Sequence, residues 1–345
     1  MPVLTIHKSG PGVTLQDLGR PGWTAQGLSR GGAADRLAVL EAAALLDQDA
    51  GFAVIEFMGL GGVFSTDQPV RMALTGALMQ VSVDGVPVPP NTTHLLTPRA
   101  TLTVGGAKRG VFGYLAFAGG FTTDPVMRSR ATHLSAGLGR ALSAGDTLPL
   151  GDDPAPDWPA QRLNVADRCS GGIIRMMPGP QTDLFDEATL AAFLATPFRR
   201  DPRGNRQGVR LDHDGAPFAA PGGLGITSDL IVPGDVQLTG DGVPFVLLAE
   251  CQTIGGYPRI GTVIPADLPR VAQAAPGTAL QFTLLDTAAA DATAQADADV
   301  LRALRQARQP LIRDPHDIAD LLGYQLVSGV TAGDDLERDE YGNQG

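Results

Sequence analysis

Glycine and proline are unusually frequent in this chain, which contains 44 glycines and 27 prolines among its 345 residues. They show no repeat period, which excludes a collagen-like triple helix, and they separate short apolar runs, which argues against a disordered chain. Because both residues interrupt regular helices and favour turns, long helices are disfavoured. The pattern predicts a mainly β fold of many short strands with turns roughly every 8–12 residues, as in a barrel or a sandwich.

The chain is acidic, with a formal net charge of −11 at pH 7. A negative surface repels phosphate backbones and anionic lipid heads, so we expect no nucleic-acid partner and no membrane partner. The first residues show no apolar signal segment, and the longest nearly apolar run, 111–121, is too short to cross a bilayer. Two cysteines are too few for a disulfide framework or a zinc site. We therefore expect a cytoplasmic protein without a bound metal.

The chain divides into two similar halves and a tail. We predict a barrel domain at residues 1–150, a linker rich in proline and aspartate at 151–165, a second barrel domain at 166–286 and an extension at 287–345. Each half has strands around one short helix, at 34–46 and at 183–194, where apolar residues recur at helical spacing. We expect the extension to be helical or disordered, with a helix near 300–307 and an acidic, disordered end.

The first candidate site segment spans residues 12–22. It places Gln16, Asp17 and Arg20 between glycines, which allow a ligand or another chain to approach the backbone closely. The guanidinium of Arg20 could hold a carboxylate or a phosphate through two parallel hydrogen bonds. In the alternative interpretation, Asp17 and Arg20 pair with each other and only brace the loop.

The second candidate segment spans residues 247–261. An apolar strand runs directly into polar side chains and then into a double glycine, and such strand ends commonly meet ligands. Glu250 could act as a base or hold a cation, whereas the neutral groups that follow suit an amide. These further candidates are Gln252, Thr253, Gly255, Gly256 and Tyr257. The alternative is a tight hairpin in which Tyr257 covers a core.

One catalytic motif is present without its usual context. Residues 27–31, Gly-Leu-Ser-Arg-Gly, match the GxSxG pattern of serine hydrolases. The nucleophile of those enzymes follows an apolar strand directly, whereas residues 21–26 look like a loop. The sequence therefore argues against a serine hydrolase. It also contains no Walker A phosphate loop and no metal-ligand spacing of histidines.

A series of blocks occurs in the order found in a known family. The blocks are VTLQDLGRPG, GGAADR, VIEF, ALTGA, YLAFAGGF, SRATHLSAGLGRALSAGDTL, GNRQGVRL, VPGDVQLTGDGVPFVLLAECQTIGGYP and PGTALQF. From about residue 3 to residue 285 the chain resembles the biotin-dependent carboxyltransferase family, also called allophanate hydrolase subunit 2. That family includes the KipA or PxpC component of prokaryotic 5-oxoprolinase and one part of urea carboxylase.

The resemblance implies two tandem cyclophilin-like β-barrels and a place in an ATP-dependent 5-oxoprolinase complex, as its PxpC component. This complex cleaves 5-oxo-L-proline to L-glutamate, with ATP bound in a partner subunit or at an interface. The implied partners are a subunit-1 protein of the KipI or PxpB type and a PxpA-like protein. We expect Glu250, Asp17 and Arg20 to be catalytic. The expected substrate-binding residues are Gln16, Arg210, Gln237, Gln252, Thr253, Gly255, Gly256 and Tyr257.

Two other functions stay open at this point. The chain could be the carboxyltransferase component of a biotin-dependent urea or amide carboxylase, which would require a biotinylated carrier. It could also be a non-enzymatic regulatory module of the KipA type. Three positions depart from the family pattern: Glu250 replaces the usual aspartate, Ile254 replaces a second threonine, and Val209 replaces an aromatic residue.

Overall fold

Strands dominate both halves of the molecule, a computed structural model that describes residues 1–218 and 226–312. Nine strands of the first half form one antiparallel sheet. They are β1 (Val3–Ser9), β2 (Thr14–Gln16), β3 (Val54–Met58), β4 (Gly62–Thr66), β5 (Val70–Val83), β6 (Val86–Pro87), β7 (Thr93–Leu96), β8 (Leu102–Phe117) and β9 (Thr147–Pro149). The mainly β fold predicted from the sequence is confirmed.

The two longest strands, β5 and β8, pair with each other and organise the first sheet. The order β2-β3-β8-β4-β1-β9 has two free ends, so this half is an open half-barrel and not a closed one. Asp84 and Gly85 join β5 to β6 with φ angles of 49° and 81°. Positive φ at both positions is what a two-residue hairpin turn requires, so the predicted hairpin is confirmed.

Seven strands of the second half close into a barrel, in the order β11-β18-β15-β16-β13-β12-β19. The strands are β11 (Gly172–Met177), β12 (Phe198–Arg200), β13 (Gly208–Asp212), β15 (Asp235–Leu238), β16 (Pro244–Leu247), β18 (Arg259–Val263) and β19 (Ala279–Leu284). The ring is closed by the parallel pairing of β11 with β19, which are the first and last strands of this half.

Two further pairs of short strands lie outside these sheets. β10 (Gln161–Arg162) pairs with β20 (Gln309–Pro310), and β14 (Asp229–Leu230) pairs with β17 (Ile254–Gly255). The predicted linker therefore contributes a strand to the part of the extension that the structure describes. The domain boundaries themselves stay predictions.

Five helices accompany the strands in the described residues: α1 (Arg36–Leu46), α2 (Glu187–Ala195), α3 (Leu268–Gln273), α4 (Thr287–Asp291) and α5 (Asp297–Ala307). The helix predicted at 34–46 is present, and the Asp35 carboxylate caps it by accepting a hydrogen bond from Ala38 N. The helix predicted at 183–194 begins later than expected, because Asp183 belongs to a separate 3₁₀ turn and Asp186 is the N-cap.

The described part of the extension packs onto α1. Helix α5 contains the predicted helix 300–307, and just after it Arg308 Nη1 donates to Ala44 O at 2.9 Å. The predicted disordered end lies outside the described residues. None of the helices in residues 1–218 and 226–312 combines the length and the hydrophobicity of a membrane-spanning helix.

Buried polar groups join the two halves. Gln273, at the end of α3, accepts hydrogen bonds from Val111 N and Phe112 N of β8 at 2.9 and 3.0 Å. Arg168 contacts Asp35 at 2.6 Å and Glu41 at 2.7 Å, so a cation of the second half neutralises two buried carboxylates beside α1. These contacts fix the position of the barrel relative to the first sheet.

Candidate active site

The Asp17 carboxylate braces two loops of the first half. It accepts hydrogen bonds from Gly19 N and Ser129 Oγ at 2.7 Å and from Arg130 N at 2.6 Å. A carboxylate with three donors is well satisfied, and Asp17 is only 6% exposed. Asp17 therefore holds the segment that carries Arg20 against the loop at residues 129–130.

Arg20 is almost completely buried, with 1% of its surface exposed. Its Nη2 donates to Ala131 O, whereas Nε and Nη1 have no hydrogen-bond partner among the described residues. Burial lowers the pKa of Arg20, while the charges of Asp17 and Glu250 act in the opposite direction. A buried donor without a partner costs about 1–3 kcal/mol, so these two groups are candidates for holding a ligand.

Arg206 is the centre of a buried ionic network. Its Nε donates to Glu250 Oε1 at 2.7 Å, its Nη1 contacts Glu56 Oε1, and its Nη2 donates to Gly32 O at 2.6 Å. Burial opposes the charge of Arg206, but Glu56 and Glu250 outweigh it and raise its pKa. Because Glu56 belongs to the first half, this network ties the second candidate segment to the first sheet.

A second series of contacts begins at Oε2 of Glu250, the carboxylate oxygen that does not accept from Arg206. Ser135 Oγ lies 3.3 Å from Glu250 Oε2 and 3.3 Å from His133 Nδ1. His133 Nε2 lies 2.8 Å from Ser29 Oγ, the serine of the GxSxG motif. Burial lowers the pKa of His133, partly offset by Glu250, while Arg20 and Arg206 lower it further. The neutral imidazole is therefore favoured near pH 7.

We expect the stability of the protein to depend on the titration of His133. Its pKa in the fold is lowered below the usual value of about 6.5, so the unfolded chain binds more protons in this range. The contribution of His133 is therefore fully present above pH ~6.5 and is lost as the pH falls below that value. Urea unfolding between pH 5 and pH 8 should show a smaller pH dependence for His133→Gln than for the wild type.

The exposed His7 supplies the control for this measurement. The variant His7→Gln makes the same substitution outside the buried network and serves as the comparison. An equal slope in the wild type and in His133→Gln would contradict the prediction.

The neutral candidates of the second half meet at a different place, a cavity of about 310 Å³. Gln237, Gln252 and Tyr257 line it, together with apolar side chains such as Phe245. Gln237 Nε2 has no hydrogen-bond partner among the described residues. A Cβ at Gly255 would lie 2.8 Å from this nitrogen, so β17 passes close to the Gln237 amide. The cavity thus offers neutral hydrogen-bonding groups beside an apolar wall.

The remaining predicted substrate-binding residues do not line that cavity. Gln16 is fully buried and donates to Thr14 Oγ1 at 3.0 Å and to Thr132 O at 3.1 Å. Thr253 is buried, and Gly256 is exposed. Arg210 lies within 3.3 Å of Asp201 and 3.2 Å of Asp212 and lines another, smaller cavity.

The two candidate segments are thus close to each other, but their site residues lie in different surroundings. Arg20 N donates to Arg30 O at 2.8 Å, and the next residue, Gly31, donates from its N to Ala249 O at 3.1 Å, so residues 30–31 connect the two segments beside Glu250. Asp17, Arg20 and Glu250 belong to the buried ionic region, whereas Gln237, Gln252 and Tyr257 surround the cavity. Their catalytic and binding roles stay predictions.

Three residues of the ionic region were not predicted from the sequence: Glu56, His133 and Arg206. Glu56 interrupts the apolar run VIEF, and a charge in such a strand requires a buried partner, so this signal was available. The spacing of arginines along the sequence does not distinguish Arg206 from Arg210, and Arg210 is the one that the sequence analysis predicts to bind substrate. No local sequence pattern marks His133 as a site residue, because its partner Ser29 is 104 residues away.

Comparison with known proteins agrees with the resemblance seen in the sequence. The family model for the carboxyltransferase domain, subdomain A and B, matches residues 26–284. The C subunit of 5-oxoprolinase from Escherichia coli (strain K12) is 35% identical over 287 residues, which cover 81% of this chain and 90% of that protein. The Haemophilus influenzae protein of the same name is 31% identical over 274 residues, 78% of this chain and 87% of its own.

Solved structures agree with these sequence matches. The protein TTHA0988 superposes with a TM-score of 0.75 at 31% identity, covering 82% of this chain and 56% of that one. The chain therefore spans little more than half the length of TTHA0988. The urea amidolyase of K. lactis has the same fold, with a TM-score of 0.78 at 21% identity over 91% of this chain and 21% of that one. Because the family model covers most of the sequence, this chain belongs to the carboxyltransferase family with subdomains A and B.

Proposed function

We propose that this chain is the C subunit of an ATP-dependent 5-oxoprolinase, which cleaves 5-oxo-L-proline to L-glutamate. The observation that carries the proposal is the similarity to the corresponding E. coli 5-oxoprolinase component over nearly the whole length of that protein. Similarity to urea amidolyase is weaker and covers only a small part of those much longer chains.

The side chains at the site suit a small anionic amide. The lactam ring of 5-oxoproline presents an N–H and a C=O, which pair well with neutral donors and acceptors such as Gln237, Gln252 and Tyr257. Arg20, in the separate buried ionic region, has two N–H donors without partners among the described residues, which suit an anionic oxygen. These groups support an amide substrate on which negative charge develops during the reaction.

The contacts of the acidic residues favour particular roles. Glu250 has one oxygen on Arg206 and the other near Ser135 and His133, so it would orient water through these neighbours during ring opening. Arg20 would stabilise negative charge that develops on the lactam oxygen. Asp17 would keep the Arg20 loop in place through its three hydrogen bonds.

The proposed activity requires partner subunits, since the curated relatives are themselves named as subunits. We propose a KipI- or PxpB-type protein and a PxpA-like protein as these partners, in the cytoplasm. The sequence has no Walker A phosphate loop, which supports ATP binding in a partner or at an interface.

Reconstitution of the complex tests the proposal. The chain, mixed with its two partners, should release glutamate from 5-oxoproline only when ATP is present, and omission of any component should abolish the release. Arg20→Met should reduce the rate about 100-fold or more, because it removes a charge-stabilising donor. Arg302→Met, at a side chain that is 67% exposed on α5, should leave the rate unchanged. A complete mixture that releases no glutamate would contradict the proposal.

A second candidate function is supported by the family model, which describes a carboxyltransferase domain. In that case the chain would transfer a carboxyl group from a carboxylated biotin carrier to urea or a similar amide. The same preparation should then carboxylate urea when a carboxylated carrier protein is supplied. Carboxyl transfer without release of glutamate would favour this function over the first.

A further inference from the structure

Ser29 has partners in the fold that its sequence context does not indicate. It follows the 3₁₀ turn Thr24–Gln26, not a strand, so the nucleophile elbow of serine hydrolases is absent at this motif. Long-range packing nevertheless places its hydroxyl 2.8 Å from His133 Nε2. We propose that Ser29 is a nucleophile that accepts an acyl group, with His133 as its general base.

One assignment of hydrogens satisfies every polar contact in this chain of groups. The Ser29 hydroxyl donates to His133 Nε2, His133 Nδ1–H donates to Ser135 Oγ, and the Ser135 hydroxyl donates to Glu250 Oε2. The lowered pKa of His133 supports the neutral imidazole that this assignment requires. The order of hydroxyl, imidazole and carboxylate is that of a catalytic triad, with one extra hydroxyl before the acid.

Arg206 holds Glu250, the last group in this series of hydrogen bonds, in a fixed position. It holds Glu250 Oε1 at 2.7 Å, so the other carboxylate oxygen stays directed at Ser135 and His133. The distance of 4.0 Å between His133 Nδ1 and Glu250 Oε2 is too long for a direct hydrogen bond. Ser135 is therefore the group that orients the imidazole toward Ser29.

Arg20 borders the same space and supplies the donor that acyl transfer needs. A Cβ built on Gly31 would lie 3.1 Å from His133 Cδ2 and 3.6 Å from Arg20 Nη1, so His133 and Arg20 both lie against the same glycine. Nε and Nη1 of Arg20 have no partner in the part of the chain that the structure describes. A guanidinium in this position would stabilise the oxyanion of a tetrahedral intermediate.

Ser29 and His133 are buried, with 5% and 4% of their surfaces exposed, but they lie directly beneath surface loops. Gly27 and Arg30 on one side and residues 134–137 on the other are exposed. In the proposed reaction, a small acyl donor would approach Ser29 between these loops.

The proposed reaction conserves atoms and protons at each step. Ser29 Oγ bonds to the carbonyl carbon of an amide while its proton passes to His133 Nε2. The C–N bond then breaks, and the leaving nitrogen takes the proton from His133. Water attacks the resulting ester, gives a proton to His133 and releases the carboxylic acid, and the proton returns to Ser29 Oγ. That the acyl group is the glutamyl group of 5-oxoproline rests on the proposed function, whereas the reactivity of Ser29 does not.

A fluorophosphonate probe tests this reactivity on the full chain alone. We expect one covalent adduct on the wild type, located at Ser29 by peptide mass spectrometry. The adduct should be absent in Ser29→Ala and retained in Ser143→Ala, where the exposed serine has no imidazole partner. His133→Asn should slow the labelling about 100-fold or more, because it removes the general base. Urea unfolding of each variant shows that the loss of labelling is not a loss of fold.

No labelling of the folded wild type, or labelling that persists in Ser29→Ala, would overturn the proposal. A second arm uses the reconstituted complex with 5-oxoproline and ATP, quenched in acid, in which a glutamyl ester should be found on Ser29. If the probe labels Ser29 but this ester is not formed, the reactivity of Ser29 is supported and 5-oxoproline is excluded as its acyl donor.

Discussion

Arg206→Met is expected to lower the free energy of unfolding by about 3–5 kcal/mol. The substitution removes one positive charge and leaves two buried carboxylates, those of Glu56 and Glu250, without their cation. It also removes the donor to the carbonyl of Gly32. The methionine fills a similar volume, so the loss measured by urea unfolding reports the unpaired charges and not a cavity.

An exposed arginine nearby provides the matched control. Arg199 pairs with Asp214, and both side chains are exposed, at 47% and 83%, so Arg199→Met should cost less than about 1 kcal/mol. Adding Glu56→Gln and Glu250→Gln to Arg206→Met should recover part of the lost stability, since the two uncompensated charges are then removed. A cost below about 1 kcal/mol for Arg206→Met alone would contradict the ionic network described above.

Phe193→Ala is expected to reduce the stability by a similar amount, about 3–5 kcal/mol. The Phe193 ring is fully buried on α2. Its centroid lies 4.9, 5.4 and 5.2 Å from those of Phe198, Phe218 and Phe282. Truncation therefore leaves a cavity between α2 and the second barrel, in addition to the lost burial of the ring. Thermal and urea unfolding should both show the effect.

Two controls separate the cavity from a general effect of mutation. Phe193→Leu keeps most of the volume and should cost less than Phe193→Ala. Leu184→Ala changes a side chain that is 42% exposed and should have a small effect. Equal stabilities of Phe193→Ala and the wild type would show that the aromatic cluster does not support the barrel.

The features that the sequence predicted correctly depend on local signals. The helix at residues 36–46 has apolar spacing and an aspartate cap, and the Asp84-Gly85 hairpin needs only two residues with positive φ. The family resemblance depended on an ordered series of motifs and was confirmed by comparison. Each of these features can be recognised from a short stretch of sequence, or from the order in which several short motifs follow one another.

The strand pairings and side-chain contacts that the sequence does not indicate depend on residues that are distant along the chain. The barrel closes by pairing β11 with β19, whose residues lie more than 100 positions apart along the chain, for example Ile174 with Phe282. The Ser29–His133 contact spans 104 residues and the Arg206–Glu56 contact 150 residues. No local pattern reports such pairs. The difference between an open and a closed barrel, and the partners of Ser29, follow only from packing.

The Gln273 contacts also determine where movement can occur. This side chain bonds the backbone of β8 with both its oxygen and its nitrogen, and Arg168 fixes α1 beside it. Hinge bending between the halves would break several buried hydrogen bonds at once, which makes a clamshell opening costly. We therefore expect any opening that admits a reactant to come from the peripheral loops.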